Sequence, residues 1–219
     1  MILKVKGQKK ETKDTFSLIL EKPENFNFYP GQYLDVFTKN KESRILSISS
    51  SPSEDFIMLT YKRGFSSFKK ALREIKSGDT ISSSHPAGTV VLDNSSPAIC
   101  LSGGIGIAPH RSMIKWALDC NLNLPITLIY SNPDPDFIFK KELDKWQKDY
   151  PGLTVHYIVT SKERRLNEKT FRTLNSKFFI LNSIYYLAGP PAMVDDFEIM
   201  LLKLGVDPTN IRTDRFDGY

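Results

Sequence analysis

Cysteine is scarce in this chain: Cys100 and Cys120 are the only two among 219 residues. That is too few for a disulfide scaffold and too few for the thiolate set of a protein-held iron–sulfur cluster, so redox chemistry here requires a different cofactor. The three histidines, His85, His110 and His156, lie far apart without ligand spacing, and no metal is assigned. No apolar run approaches the length that spans a bilayer. The alternating, lysine-rich N-terminus MILKVKGQKKETKD lacks the apolar core of a signal peptide. The expectation is no membrane span and a cytoplasmic location. A dense basic stripe with interleaved aromatics, the mark of nucleic-acid binding, is also missing. The net charge of +5 comes from scattered lysines and fits solvated faces, or an electrostatic match to an acidic protein partner.

What is present suggests two small domains, each with its own core. Residues 2–5, 15–20, 33–37, 44–48 and 56–61 form short alternating or β-branched runs. They are separated by turn signals such as Tyr29-Pro30-Gly31 and Ser51-Pro52-Ser53. Antiparallel strands at this spacing predict a barrel or sandwich. In SSFKKALREIKSGD, the residues Phe68, Ala71, Leu72 and Ile75 share one helical face, with Ser66 or Ser67 as cap and Gly78 past the end. A strand at 80–84 follows, and the polar stretch Asp93-Asn94-Ser95-Ser96-Pro97 marks a boundary. Beyond it strands (98–101, 126–130, 155–159, 185–188, and one containing Ile211) alternate with helices (109–119, 139–148, 192–203). That alternation calls for a parallel sheet covered on both faces. The domains are therefore set at 1–94 and 95–219.

The most informative stretch is PAICLSGGIGIAPHRSM, from Pro97 to Met113. A buried run breaks at Gly103, Gly104 and Gly106 and resumes as a helix near Ala108 and Pro109. Glycines admit an anion close to backbone N–H groups, and the following helix aims its positive end there. The spacing differs from G-x-G-x-x-G, because Pro109 stands where the third glycine would fall. A second turn of this kind, Ala188-Gly189-Pro190-Pro191-Ala192-Met193, is expected at the same sheet edge, which makes a dinucleotide the leading ligand. Ser131 and Asn132 end the second strand of the sheet, where a carboxylate would select NAD. They lean slightly toward NADPH, with Asp134 and Asp136 weighing against it. Arg164 and Arg165 fit an exposed basic loop or phosphate contacts. In the first domain, Arg44-Ile45-Leu46-Ser47 places a cation and a hydroxyl on one strand. Tyr61-Lys62-Arg63-Gly64 leads into Ser66-Ser67, a second anion site at a helix start.

The ordered set Arg-x-Leu-Ser, Ser67-Phe68-Lys69-Lys70-Ala71-Leu72, GGIGIAPHRSM, AGPPAMV and terminal Phe216-Asp217-Gly218-Tyr219 resembles the ferredoxin–NADP reductase family of flavoproteins, most of all its stand-alone members without an iron–sulfur domain. The resemblance spans essentially the whole chain. It implies a two-domain fold, an N-terminal antiparallel β-barrel for FAD followed by an α/β Rossmann-like parallel sheet for NAD(P)H. By the same resemblance, Arg44 pairs with the flavin pyrophosphate, Leu46 packs on the flavin and Ser47 lies at its reacting N5 edge. Ile45 and Tyr61 belong to the flavin-binding stretch, and Ser66 and Ser67 bind pyrophosphate oxygens. Gly103, Gly104, Gly106 and Pro109, with Ser131 and Asn132, hold NAD(P)H. Gly189, Pro190, Pro191 and Met193 border the nicotinamide, and Tyr219 stacks on the isoalloxazine until nicotinamide displaces it. Ser47 and Tyr219 are thus the expected catalytic residues. Leu46 stands where the family often has an aromatic, Ala188 where many members have cysteine, and Ala87 where phenylalanine is more usual. The implied function is transfer of hydride between NAD(P)H and FAD, with electrons passing to a carrier such as ferredoxin or flavodoxin. An electron-transfer subunit of a larger enzyme and a non-redox nucleotide-binding module are the alternatives.

Overall fold

The structure, a computed structural model, describes residues 1–162, 166–174 and 180–216. Strands β1 (Ile2–Lys10), β2 (Thr15–Glu21), β3 (Tyr33–Phe37), β4 (Ser43–Ser47), β5 (Phe56–Lys62) and β6 (Thr80–Ser83) form an antiparallel sheet in the order β4-β3-β6-β1-β2-β5. Period-two alternation turns Leu3, Val5, Leu34 and Val36 inward, where they are buried. A bridge between Ile48 and Leu59 ties the end of β4 to β5 and brings the two outer strands together, so the sheet curls into a barrel. Helix α1 (Ser67–Glu74) caps the interior with Phe68 and Leu72, and the Ser66 hydroxyl accepts from the Lys69 N–H at its start.

The second half alternates β7 (Ala98–Gly103), α2 (Ile107–Asp119), β8 (Ile126–Asn132), α3 (Lys140–Asp149), β9 (Leu153–Val159), α4 (Glu168–Leu174), β10 (Ile184–Gly189), α5 (Pro191–Lys203) and β11 (Ile211–Arg215). The strands are parallel, in the order β11-β10-β7-β8-β9. Every residue of β7 and β10 is buried, as central parallel strands covered on both faces must be. One face packs Ile114, Leu143 and Trp146; the other packs Phe171, Val194 and Leu201. The chain runs outward through β8 and β9, then returns to the other side of β7 for β10. The direction therefore reverses at β7, and the carboxyl ends of β7 and β10 flank a crevice.

Helix α4 is absent from the periodicity reading because Phe171 is its one buried residue, in a lysine-rich segment. The local signal is Asn167, whose side chain accepts from the Thr170 N–H at 3.0 Å. Helix α2 starts at Ile107, two residues before the expected start, so Pro109 falls inside its first turn, where no intrahelical N–H bond is lost.

The two halves share an apolar seam: Met58 belongs to the α/β core cluster, and Ile19 and Phe56 pack against it. Polar ties reinforce it. Arg212 on β11 bonds Asp93 at 2.8 Å and the Val91 carbonyl at 2.7 Å, and Lys13 bonds Asp134 at 2.8 Å. Among the described residues, no helix is long and apolar enough to cross a membrane, and no cluster of His, Cys, Asp or Glu is suited to a metal ion.

Candidate active site

Two clefts open on the seam. The first, about 620 Å³, is lined by residues 43–47 of β4 together with Tyr33, Tyr61, Phe65, Ser66, Phe68, Lys69, Asp214, Arg215 and Phe216. Its two ends differ in chemistry. Toward α1 stand Arg44, its guanidinium 5.8 Å from the Phe68 ring, and Lys69, with Ser66 capping the helix. Burial lowers the Lys69 pKa, and the neighbouring charges of Lys62 and Arg44 lower it further. Crowded cations at a helix N-terminus favour an anion between them. The other end offers the flat or apolar side chains of Tyr33, Leu46 and Phe216. The donor set thus fits a molecule with phosphates at one end and an aromatic ring system at the other, as a flavin nucleotide has.

Several expected flavin residues take parts that sequence alone did not specify. Ile45, Leu46 and Ser47 all line the cleft, although strand alternation turns Leu46 and Ser47 to opposite faces. Tyr61 forms wall only: its hydroxyl donates to Gln8 at 2.6 Å, and burial raises its pKa to about 12. Ser67 does not line the cleft. Its hydroxyl donates to Glu42 at 2.5 Å, and the other Glu42 carboxylate oxygen is buried without a hydrogen-bond partner. The aromatic missing at Leu46 has a counterpart in Tyr33. That ring lies against Gly88, where a Cβ would come within 2.9 Å of it, and the Tyr33 backbone pairs with Ala87.

The second cleft, about 370 Å³, gathers Gly103, Gly104, Ser131, Asn132, Gly189, Pro190 and Met193, with Lys62 reaching in from the barrel. Gly104 has φ +54°, a conformation glycine adopts without strain, and its carbonyl accepts from Tyr130 at 2.9 Å. Gly106 and Pro109 stand behind this wall, correcting the expectation that they line it. Gly106 is pressed on the β10 backbone, where a Cβ would lie 2.1 Å from the Ala188 oxygen, and Pro109 is buried in α2. Pro191 opens α5 and is not among the lining residues. Ser131 donates to the Ser102 carbonyl at 3.1 Å, and the Asn132 amide donates to the Asp134 carbonyl at 2.9 Å. Both groups are hydrogen-bonded within the chain, at the end of β8 where the lean toward NADPH places them. His110 is a packing residue: its Nδ1 lies 2.6 Å from the Ser102 hydroxyl, and burial lowers its pKa to about 3.

Phe216 belongs to both clefts. Its N–H donates to the Gly189 carbonyl at 2.9 Å, extending β11 along β10 and setting the ring at the junction. Beside it, Asp214 pairs in register with Ala188 and faces Ser47. Burial pushes its carboxyl up to about 6, and hydrogen bonding with Ser47 offsets part of that shift. Sequence reading missed both residues, although the signal for Phe216 was its place in the terminal motif. Tyr219, Arg164 and Arg165 lie outside the described residues.

The chain is similar to known proteins in both sequence and fold. The family model for an oxidoreductase NAD-binding domain matches residues 100–198. The chain is 28% identical over 206 residues to the ferredoxin–NAD(P)(+) reductase component of a Pseudomonas putida naphthalene 1,2-dioxygenase system, covering 90% of this chain and 62% of that protein. It is 32% identical to reductase component 1 of a Comamonas terephthalate 1,2-dioxygenase, covering 86% of this chain and 59% of the relative. The chain thus spans about three fifths of the length of these relatives. In fold it is similar to the ferredoxin–NADP+ reductase of Plasmodium falciparum, with a TM-score of 0.83 at 18% identity, covering 98% of this chain and 95% of the other.

Proposed function

We propose, from the match of residues 100–198 to an oxidoreductase NAD-binding domain and the likeness to reductase components of dioxygenase systems, that the chain is a member of the ferredoxin reductase family over its two domains, a flavin-dependent NAD(P)H oxidoreductase delivering electrons to a carrier protein of ferredoxin or flavodoxin type. Residues 1–94 hold FAD in this reading, residues 95–219 hold NAD(P)H, and the protein works in the cytoplasm, where its two unpaired cysteines remain thiols. The observation that carries the reading is the placement of Phe216 between an anion-and-aromatic cleft and a glycine-walled cleft. When bound, the two cofactors supply the hydride and electron-transfer chemistry.

The chain's own residues bind, orient and exclude water. Arg44, Lys69 and Ser66 hold the flavin pyrophosphate, with Ser67 set behind them against Glu42, while Tyr33 and Leu46 support the ring system with Ile45 and Tyr61 as wall. Ser47 presents its hydroxyl at the reacting edge, with Asp214 behind it. Gly103, Gly104 and Gly189 bring backbone N–H groups to the nicotinamide dinucleotide, backed by Gly106 and Pro109, with Pro191 opening α5. Ser131, Asn132, Pro190 and Met193 complete that cleft, and Phe216 shields the ring junction.

Purified chain loaded with FAD is expected to be yellow and to bleach anaerobically on addition of NADH or NADPH. A colourless protein that cannot be loaded overturns the reading, and stopped-flow traces with the two donors rank them. Glu42 gives a finer test, because its carboxylate, bonded to Ser67 in the first turn of α1, is an anion beside the helix start that the pyrophosphate would approach. Glu42→Gln is expected to tighten FAD binding about fivefold, on the order of 1 kcal/mol for one anion removed from a helix N-terminus. Flavin fluorescence quenching measures it, and equal dissociation constants would show that Glu42 does not compete.

A further inference from the structure

The serine-rich turn after β4 has no part in either cleft, yet it makes the densest polar contact between the two domains. Its centre is Arg111, on α2 barely more than one helical turn past the glycine segment, with a side chain only 4% exposed. Nη1 donates to the Ser49 carbonyl at 2.8 Å and to Glu54 Oε2 at 2.9 Å, and Nη2 donates to Glu54 Oε1 at 3.2 Å. On the opposite edge, Nε donates to Glu142 at 2.7 Å. The guanidinium also lies 5.2 Å from the Phe139 ring and 5.3 Å from that of Trp146. Phe139 has φ +60°, a costly conformation for a bulky residue, and it brackets the arginine from the α3 side.

The barrel side is equally fixed. The Ser49 N–H donates to the Met58 carbonyl at 2.7 Å and its hydroxyl to Thr60 at 2.8 Å, while Glu54 also accepts from the Ser51 N–H at 2.7 Å. At the far end of α2, Asp119 accepts from the Ser53 hydroxyl at 2.5 Å. The turn therefore grips α2 at two points eight residues apart, 111 and 119. It begins two residues after Ser47, at the reacting edge of the flavin cleft, and α2 begins directly after Gly106, at the nicotinamide cleft.

We propose that Arg111 is a positioning residue for hydride transfer, setting the distance between the glycine turn of the α/β domain and the Ser47 end of β4. The proposal rests on the flavin–NAD(P)H reading above. A buried ion pair contributes little net stability over an apolar replacement, and its better-attested role is to fix one arrangement among near-equal ones. Hydride transfer depends steeply on such placement, since a misplacement of about 1 Å costs about 100-fold in rate.

The test uses the full chain loaded with FAD. Arg111→Lys keeps the charge but cannot bond Ser49, Glu54 and Glu142 from one planar group. Its dissociation constants for FAD and NADP+ are expected to stay within about threefold of the parent, whereas flavin reduction at saturating NADH or NADPH slows by about 30- to 100-fold. The long-wavelength absorbance from nicotinamide stacked on flavin is expected to weaken in parallel. Should Arg111→Lys fail to fold, Glu54→Gln, which retains the Glu142 pair, is expected to slow reduction about tenfold with the same unchanged affinities. A lower melting temperature with unchanged reduction rate and absorbance per flavin-loaded molecule overturns the proposal. A parent chain that binds no flavin overturns the functional reading itself, and this inference with it.

Discussion

Gly106→Ala is expected to remove NAD(P)H-driven flavin reduction while leaving FAD binding intact. Gly106 has an ordinary helical backbone, φ −59° and ψ −7°, so alanine meets no torsional objection there. The obstacle is contact. The added Cβ would lie 2.1 Å from the Ala188 oxygen and 2.8 Å from the Gly189 nitrogen, both main-chain atoms of a central strand. No rotamer change relieves that overlap. Either the glycine turn lifts away from β10 or the parallel pairing of Ala188 with Ser102 opens. Both outcomes separate the two glycine loops that wall the second cleft, the one proposed for nicotinamide. We expect a stability loss of about 3 kcal/mol, at the upper end for overpacking, and a fall in NAD(P)H-driven reduction of more than about 100-fold. Chemical reduction of the bound flavin stays normal. Gly7→Ala is the control: nothing lies within 4 Å of a Cβ at that position, and its effect is expected within about 0.5 kcal/mol. Rapid bleaching of the Gly106→Ala protein by NADH or NADPH would show that this packing does not shape the site.

The same glycines explain why much of the architecture was legible in the sequence. A strand that breaks into Gly103-Gly104-Ile105-Gly106 before a helix has few backbone solutions, and the later Gly189-Pro190-Pro191 turn repeats the device on the neighbouring strand. The change of period after Asp93 likewise separates barrel from parallel sheet without reference to contacts. What stayed hidden depends on long-range register. Asp214 reaches Ser47 only because β11 pairs with β10 one residue at a time, and Phe216 reaches the cleft junction by continuing that pairing. Arg111 finds Ser49 and Glu54 across separations of 62 and 57 residues, in a helix whose local pattern marks it as ordinary core. Residue types can announce a glycine turn. They do not announce which distant carbonyl a buried guanidinium will meet.

Asp214→Asn is expected to make the protein more stable at neutral pH and to flatten its pH dependence below that. Burial pushes the Asp214 carboxyl up to about 6 in the folded chain, against 3.8 for the unperturbed group. Between those values the folded state binds the proton and the unfolded state does not, so stability falls as pH rises from about 4 to about 6 and then levels off. A shift of this size corresponds to about 3 kcal/mol lost by pH 7 relative to a neutral side chain. Asparagine carries no titrating proton and keeps a hydrogen-bonding partner for Ser47. Denaturant unfolding should therefore give nearly equal stabilities for the two proteins near pH 4 and a gap widening to about 3 kcal/mol by pH 7. A gap that does not change with pH would mean that the carboxyl is not held protonated by burial. A destabilising charge beside Ser47, lining the first cleft with Phe216, is the pattern of a site selected for chemistry over stability. The stabilised Asp214→Asn protein is accordingly expected to reduce its flavin more slowly, and to lack a change in reduction rate through pH 6 that is expected of the parent.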